Sequence, residues 1–144
     1  DVCRRRGLTV SQFNLEKDTL ERPLLFDVAV SMEVAEHLPA RAAERYVELL
    51  TRLSNRVVFT AAPPGQGGTD HVNEQPPEYW HEKFRARSFS PLTDVGMRWS
   101  KEWRDGGVAG WYWKNLMVFE RDGVPGGSSA RDVRGPSIGR AGAG

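Results

Sequence analysis

One cysteine, Cys3, stands in 144 residues. The chain can therefore close no internal disulfide and build no cysteine-based zinc site, which suits a reducing compartment, and a catalytic thiol is not expected at that position. Long apolar runs are also missing. Nothing approaches the roughly 20 residues of a membrane-spanning helix, and the amino end, Asp1-Val2-Cys3-Arg4-Arg5-Arg6, lacks the apolar stretch of a signal peptide. The expectation is a soluble, cytoplasmic chain with no membrane partner. An excess of one charge is lacking as well: 20 basic residues against 19 acidic ones leave a net +1, too little field to recruit nucleic acid by electrostatics. No initiator methionine is present, which suggests a fragment or a processed chain. What is present, 39% hydrophobic and 27% charged residues, suffices for one real core.

From Gly123 the sequence runs Gly-Val-Pro-Gly-Gly-Ser-Ser-Ala and closes on Gly-Arg-Ala-Gly-Ala-Gly, with Val124, Val133 and Ile138 as its larger aliphatics. So little apolar surface cannot offset the entropy of ordering a backbone. Residues 1–122 are expected to form the domain and 123–144 a disordered Gly/Ser/Arg-rich tail.

Within the domain the apolar periodicity changes in a regular order. Thr9 to Asn14 alternates after the Gly7 breaker and reads as a short strand. Leu24 to Ser31 is almost continuously apolar, as a strand buried on both faces would be. Ser31 can cap a helical turn over Met32 to Leu38, interrupted by Pro39. Ala43, Tyr46, Val47, Leu50 and Leu53 recur at steps of three and four and predict a helix. Arg56 to Ala62 predicts a second buried strand, stopped by Pro63-Pro64. Pro77 to Phe84 opens a helix, and Trp111 to Glu120 reads as a closing strand paired within Val95 to Trp103. This succession is that of an open α/β sheet, mostly parallel, with an antiparallel carboxyl-terminal strand pair. Ligands of such sheets sit beyond the carboxyl ends of the strands, so the loops after Asn14, Ser31 and Ala62 should share one rim.

The chemistry-bearing residues gather on that rim. Glu33, Glu36 and His37 lie three and four apart, on one face of a helical turn. Carboxylates held so close must be protonated, hydrogen-bonded or neutralised by a cation. A divalent ion is one solution, with His71 from the loop after Ala62 as a further ligand; mixed oxygen and nitrogen donors admit magnesium, manganese, iron or zinc. The plainer alternative has both glutamates favouring a positive helix start and His37 as an ordinary helix-end residue. The loop from Pro63 to Gln75, Pro-Pro-Gly-Gln-Gly-Gly-Thr-Asp-His-Val-Asn-Glu-Gln, lacks the lysine and threonine of a phosphate loop. It either joins two elements or lines a pocket through Asp70 to Gln75 with glycines that let it close. Trp80, Trp99, Trp103, Trp111 and Trp113 interleave with Arg85, Arg98, Lys101 and Lys114, the raw composition of a single-strand stacking platform. Interspersed acids dilute it, core packing explains most of the rings, and net charge does not support nucleic acid. No Gly-x-Ser-x-Gly elbow exists, which disfavours a serine hydrolase.

Phe26-Asp27-Val28-Ala29-Val30-Ser31-Met32-Glu33-Val34-Ala35-Glu36-His37-Leu38-Pro39 resembles the fourth strand and following turn of class I S-adenosylmethionine-dependent methyltransferases. Phe59 to Gln75 is similar to the loop after the fifth strand of bacterial members. The resemblance covers about Val10 to Glu120 and is weaker after Phe84. It implies a partial Rossmann-like doubly wound sheet and S-adenosylmethionine as cofactor, with methyl transfer to an oxygen or nitrogen of a small-molecule or glycan-type acceptor. It also implies a third strand at Thr9 to Asn14, adenine contacts at Asn14 and Leu15, and Ser31 and Met32 beside the methionine portion. Glu33, Glu36, His37 and His71 resemble the metal site of small-RNA 2′-O-methyltransferases and ubiquinone-pathway O-methyltransferases. There the ion would hold a substrate hydroxyl and lower its pKa. Glu36, His37 and His71 are the implied catalytic residues, either imidazole serving as general base if no metal is bound. The sequence departs from the family at its amino end. No Asp-x-Gly-x-Gly-x-Gly turn precedes Thr9, so the cofactor cradle is absent, and this chain alone is expected to be inactive. It is then either part of an enzyme or a noncatalytic remnant that acts as a partner-binding module.

Overall fold

The computed structural model describes residues 2–21 and 26–124. The tail expected from Gly123 onward lies almost wholly outside the described residues, as does the start of the strand expected from Leu24. The elements are α1 (Val2–Arg5), β1 (Ala29–Met32), α2 (Ala43–Leu53), β2 (Arg56–Thr60), α3 (Pro77–Arg85), β3 (Phe89–Pro91), α4 (Thr93–Asp105), α5 (Gly110–Lys114) and β4 (Met117–Arg121). Short 3-10 turns at Ala35–His37 and Ala40–Ala42 lead into α2. No helix among the described residues is long and apolar enough to cross a membrane.

The strands form one open sheet in the order β1-β2-β4-β3. β1 and β2 run parallel, with Ala29 opposite Val57 and Ser31 opposite Phe59. β4 is antiparallel to both β2 and β3. The fold is therefore mixed α/β, but the expected mostly parallel sheet is corrected: one pairing is parallel and two are antiparallel. The antiparallel ending is present, and its last strand is inserted between β2 and β3.

Alternate residues of β1, β2 and β4 supply one face of the core. Ala29, Val57, Phe59, Met117 and Phe119 meet Ala43, Tyr46, Val47 and Leu50 of α2 and Trp80 and Phe84 of α3. The α2 residues are those whose three-and-four spacing predicted the helix. Phe84 stacks on Phe119 with centroids 4.0 Å apart, and each such buried ring contributes about 1.5–3 kcal/mol by leaving water. Pro77 occupies the first turn of α3, where its missing N–H costs nothing. Trp80, Phe84 and Phe89 are fully buried, so these rings serve the core and cannot act as a stacking platform.

Three further expectations are corrected. Thr9 to Asn14 is not a strand: no neighbouring strand is present among the described residues to take its backbone groups. Val95 to Trp103 is not a strand but the middle of α4. Val95, Trp99 and Trp103 stand four apart, a helical period hidden by their β-favouring side chains. Trp111 to Glu120 divides at Asn115 into α5 and β4, and the partner of β4 on its outer side is the unforeseen three-residue β3.

Candidate metal centre

The parallel pair β1 and β2 ends on one rim, and the chain is stitched there. The Glu33 amide donates to Thr60 Oγ1 at 2.9 Å and to the Thr60 carbonyl at 3.1 Å, tying the end of β1 to that of β2. Glu33 adopts φ +51° and Asp70 φ +59°, left-handed conformations that are uncommon outside glycine and gather where function holds them. The 3-10 turn Ala35–His37 follows at once. The amides of Val72 and Asn73 donate to the Glu36 carbonyl at 2.9 and 3.0 Å, so the loop after β2 is laced to the turn after β1.

This lacing brings Glu36, His37 and His71 together, their ligand atoms all within 4.8 Å of one another. Glu36 has no exposed surface, yet neither carboxylate oxygen has a hydrogen-bond partner. Burial pushes its pKa up and the nearby Glu33 adds to the rise, while the two imidazoles pull the other way. A buried, unpartnered carboxylate costs several kcal/mol unless something positive faces it. The Nε2 of His71 lies 4.0 Å from Glu36 Oε1. The two imidazoles meet edge to face at 4.8 Å, and His37 Nδ1 lies 3.3 Å from the Asp70 carbonyl.

The donor set suits a divalent ion. Ligands bonded at about 2.1 Å in a tetrahedral site stand about 3.4 Å apart, so His71 and Glu36, 4.0 Å apart, and the widest pair, within 4.8 Å, would draw together by up to about 1.4 Å around an ion. One carboxylate oxygen with two imidazole nitrogens favours zinc, iron or another transition metal over magnesium. Glu33 borders the same hollow of about 310 Å³, together with Gln66, Gly67 and Trp111. Its carboxylate, however, accepts from Gln66 Nε2 at 2.8 Å and Asn115 Nδ2 at 3.3 Å, which leaves it outside the trio.

None of the residues expected at the cofactor lines this hollow. Asn14 and Leu15 do not border this hollow. Asn14 Oδ1 accepts the amides of Glu16 and Lys17, a turn of its own, and Leu15 packs against the core. The Ser31 hydroxyl is 2.6 Å from that of Tyr46, committed to α2. Met32 is half-buried at the end of β1.

Three contacts were not foreseen, although Glu74 and Gly68 lie in the loop offered as a pocket lining. Glu74 receives His71 Nδ1, Gly68 leaves room for the His71 ring, and Asn115 reaches Glu33 from the far end of the chain. Only the first had a local signal, the three-residue step from His71 to Glu74. Comparison with family models, curated proteins and solved structures gives no match to this chain.

Proposed function

We propose that the chain supplies the acceptor side of a class I S-adenosylmethionine-dependent methyltransferase, with a divalent ion held by Glu36, His37 and His71. The convergence of those three groups on a buried, unpartnered carboxylate carries the reading. It lies beyond the carboxyl ends of two adjacent parallel strands, where open α/β sheets put their ligands. The order β1-β2-β4-β3, with β4 reversed, also supports the reading, since the usual order of the resembled family, 3-2-1-4-5-7-6, ends on four strands in that arrangement, and it favours a partial Rossmann-like sheet.

The two groups differ in how they fit. Glu36, His37 and His71 suit a divalent ion, which would act as a Lewis acid that lowers the pKa of an acceptor hydroxyl. The residues present do not suit S-adenosylmethionine by themselves: its glycine-rich turn is not in the 144 residues, Asn14 caps its own turn, and Ser31 is bonded to Tyr46. The donor's seat must then come from residues outside this sequence. On the acceptor side, Gln66 and Asn115 hold Glu33 in place and offer amide groups to a small polar acceptor. His37 or His71 takes the acceptor's proton if no ion is bound.

Calorimetric titration tests both parts. The chain should bind zinc with one ion per molecule and S-adenosylmethionine weakly or not at all. Absence of zinc binding removes the metal site, and tight S-adenosylmethionine binding contradicts the missing cradle. In a polypeptide that includes a glycine-rich turn, Glu36→Ala should abolish methyl transfer.

A second reading has its own observation. Among the described residues no strand pairs with the outer edge of β1, and Phe26, Val28 and Val30 are exposed along it. An unpaired apolar edge is a template for another strand, which favours a noncatalytic, partner-binding module. Val30→Lys would abolish association in that case and leave zinc binding intact.

A further inference from the structure

We propose that Glu74 is the positioning residue for His71, selecting the imidazole tautomer and aiming Nε2 at Glu36. The inference rests on the trio of Glu36, His37 and His71 as a working site, and deepens it. Glu74 collects three N–H groups on one carboxylate. Its Oε1 accepts from the Gly67 amide at 2.8 Å and lies 2.9 Å from His71 Nδ1. Its Oε2 accepts from the Gly65 amide at 2.8 Å. A carboxylate can only accept in such a contact, so Nδ1 carries the hydrogen and a neutral His71 keeps its lone pair on Nε2. That nitrogen is the one directed at Glu36, 4.0 Å from Oε1, too far for a hydrogen bond to consume the lone pair.

One face of the ring is bounded where a side chain is lacking. A Cβ built on Gly68 would stand 2.4 Å from both Cε1 and Nε2 of His71. The imidazole therefore occupies a slot with Glu74 at one nitrogen and the Gly68 backbone over its face. This is the arrangement by which an outer carboxylate orients a metal-binding histidine, and loss of such a partner typically costs 10–100-fold in metal affinity. The glycine loop thus has a use apart from joining elements: its amides of Gly65 and Gly67 hold the carboxylate that holds the histidine.

The test compares wild type, Glu74→Ala and Glu74→Gln. Long-range proton–nitrogen correlation spectra of the metal-free protein report the tautomer of each of its three histidines, with His71→Gln identifying the signal. Zinc titration reports affinity. Wild-type His71 should be in the Nδ1–H form, and Glu74→Ala should shift it toward Nε2–H and weaken zinc binding 10–100-fold. Glu74→Gln retains an acceptor oxygen for Nδ1 and Gly67 while turning its amide on Gly65. It should keep the tautomer and lose only a few-fold in affinity, although the Gly65 amide signal moves. A residue that only tethered the loop would not show that separation. An unchanged tautomer in Glu74→Ala overturns the proposal whatever the zinc result. A tautomer shift in a protein that binds no zinc sustains the role of Glu74 and refutes the metal reading alone.

Discussion

Nε2 of His71 stands 4.0 Å from Oε1 of Glu36, and that carboxylate is sealed from solvent with no hydrogen bond on either oxygen. The neighbouring elements explain how it is held there. β1 and β2 are pinned to each other by Glu33 and Thr60, and the loop after β2 is pinned to the turn after β1 through the Glu36 carbonyl. The backbone thus fixes the carboxylate without satisfying it, and a cation is the partner that would.

Glu36→Gln keeps the shape and removes the charge. The metal-free variant should melt at or above the wild-type temperature, because the desolvated charge is gone. Zinc at a hundred times its Kd stabilises a one-site protein by about 2.7 kcal/mol; this upward shift in melting temperature should appear for wild type and vanish for the variant. Thermal melts with and without zinc decide it.

Gly68→Ala drives a methyl group into the His71 ring, which cannot swing freely because Glu74 holds Nδ1. Zinc affinity should fall at least 10-fold. The φ of +156° at Gly68 strains any side chain there as well, so denaturant titration should register a loss of about 1–3 kcal/mol.

His81, edge-on to Phe119 at 5.4 Å, is the group that gives a pH test away from the centre. Burial lowers its pKa, Arg85 adds to the fall and Glu78 opposes it; Lys114 lines the same cavity. A base with a depressed folded-state value contributes stability that is full above its ordinary pKa, about 6.5. That stability is lost as pH falls from there through the folded value. The chain should weaken below about pH 6.5, and His81→Phe should flatten that part of the stability profile measured by urea unfolding.

Tyr46→Phe removes the partner of the buried Ser31 hydroxyl. Burial pushes the Tyr46 phenol up to about 12, so it remains protonated and bonded to Ser31 at any working pH. Stranding the hydroxyl should cost about 1–3 kcal/mol, read as a lower denaturation midpoint with unchanged slope.

Much of this was legible in the residue order. The three-and-four spacing of Ala43, Tyr46, Val47 and Leu50 announced α2, and the apolar block from Arg56 announced β2, because each carries enough matching positions for one period to prevail. Glu36, His37 and His71 were legible as a group because histidine is scarce, with three in the chain, and two of them stand beside a glutamate or in the loop of the same rim. Thr9 to Asn14 misled because alternation describes a surface that can pair and says nothing of a partner. Val95, Trp99 and Trp103 misled through residue type, which outweighed a helical period that was there to be counted. Glu74 and Asn115 were hidden for another reason: their importance lies in hydrogen bonds, one of them spanning 82 positions, and no local pattern records such a bond.

Zinc titration of the wild-type chain beside Glu36→Gln is the most direct test of the central claim. One ion per wild-type molecule, and none for Glu36→Gln at the same concentrations, is the predicted result. Equal binding by both proteins, or by neither, would contradict the assignment of Glu36, His37 and His71 as a metal centre.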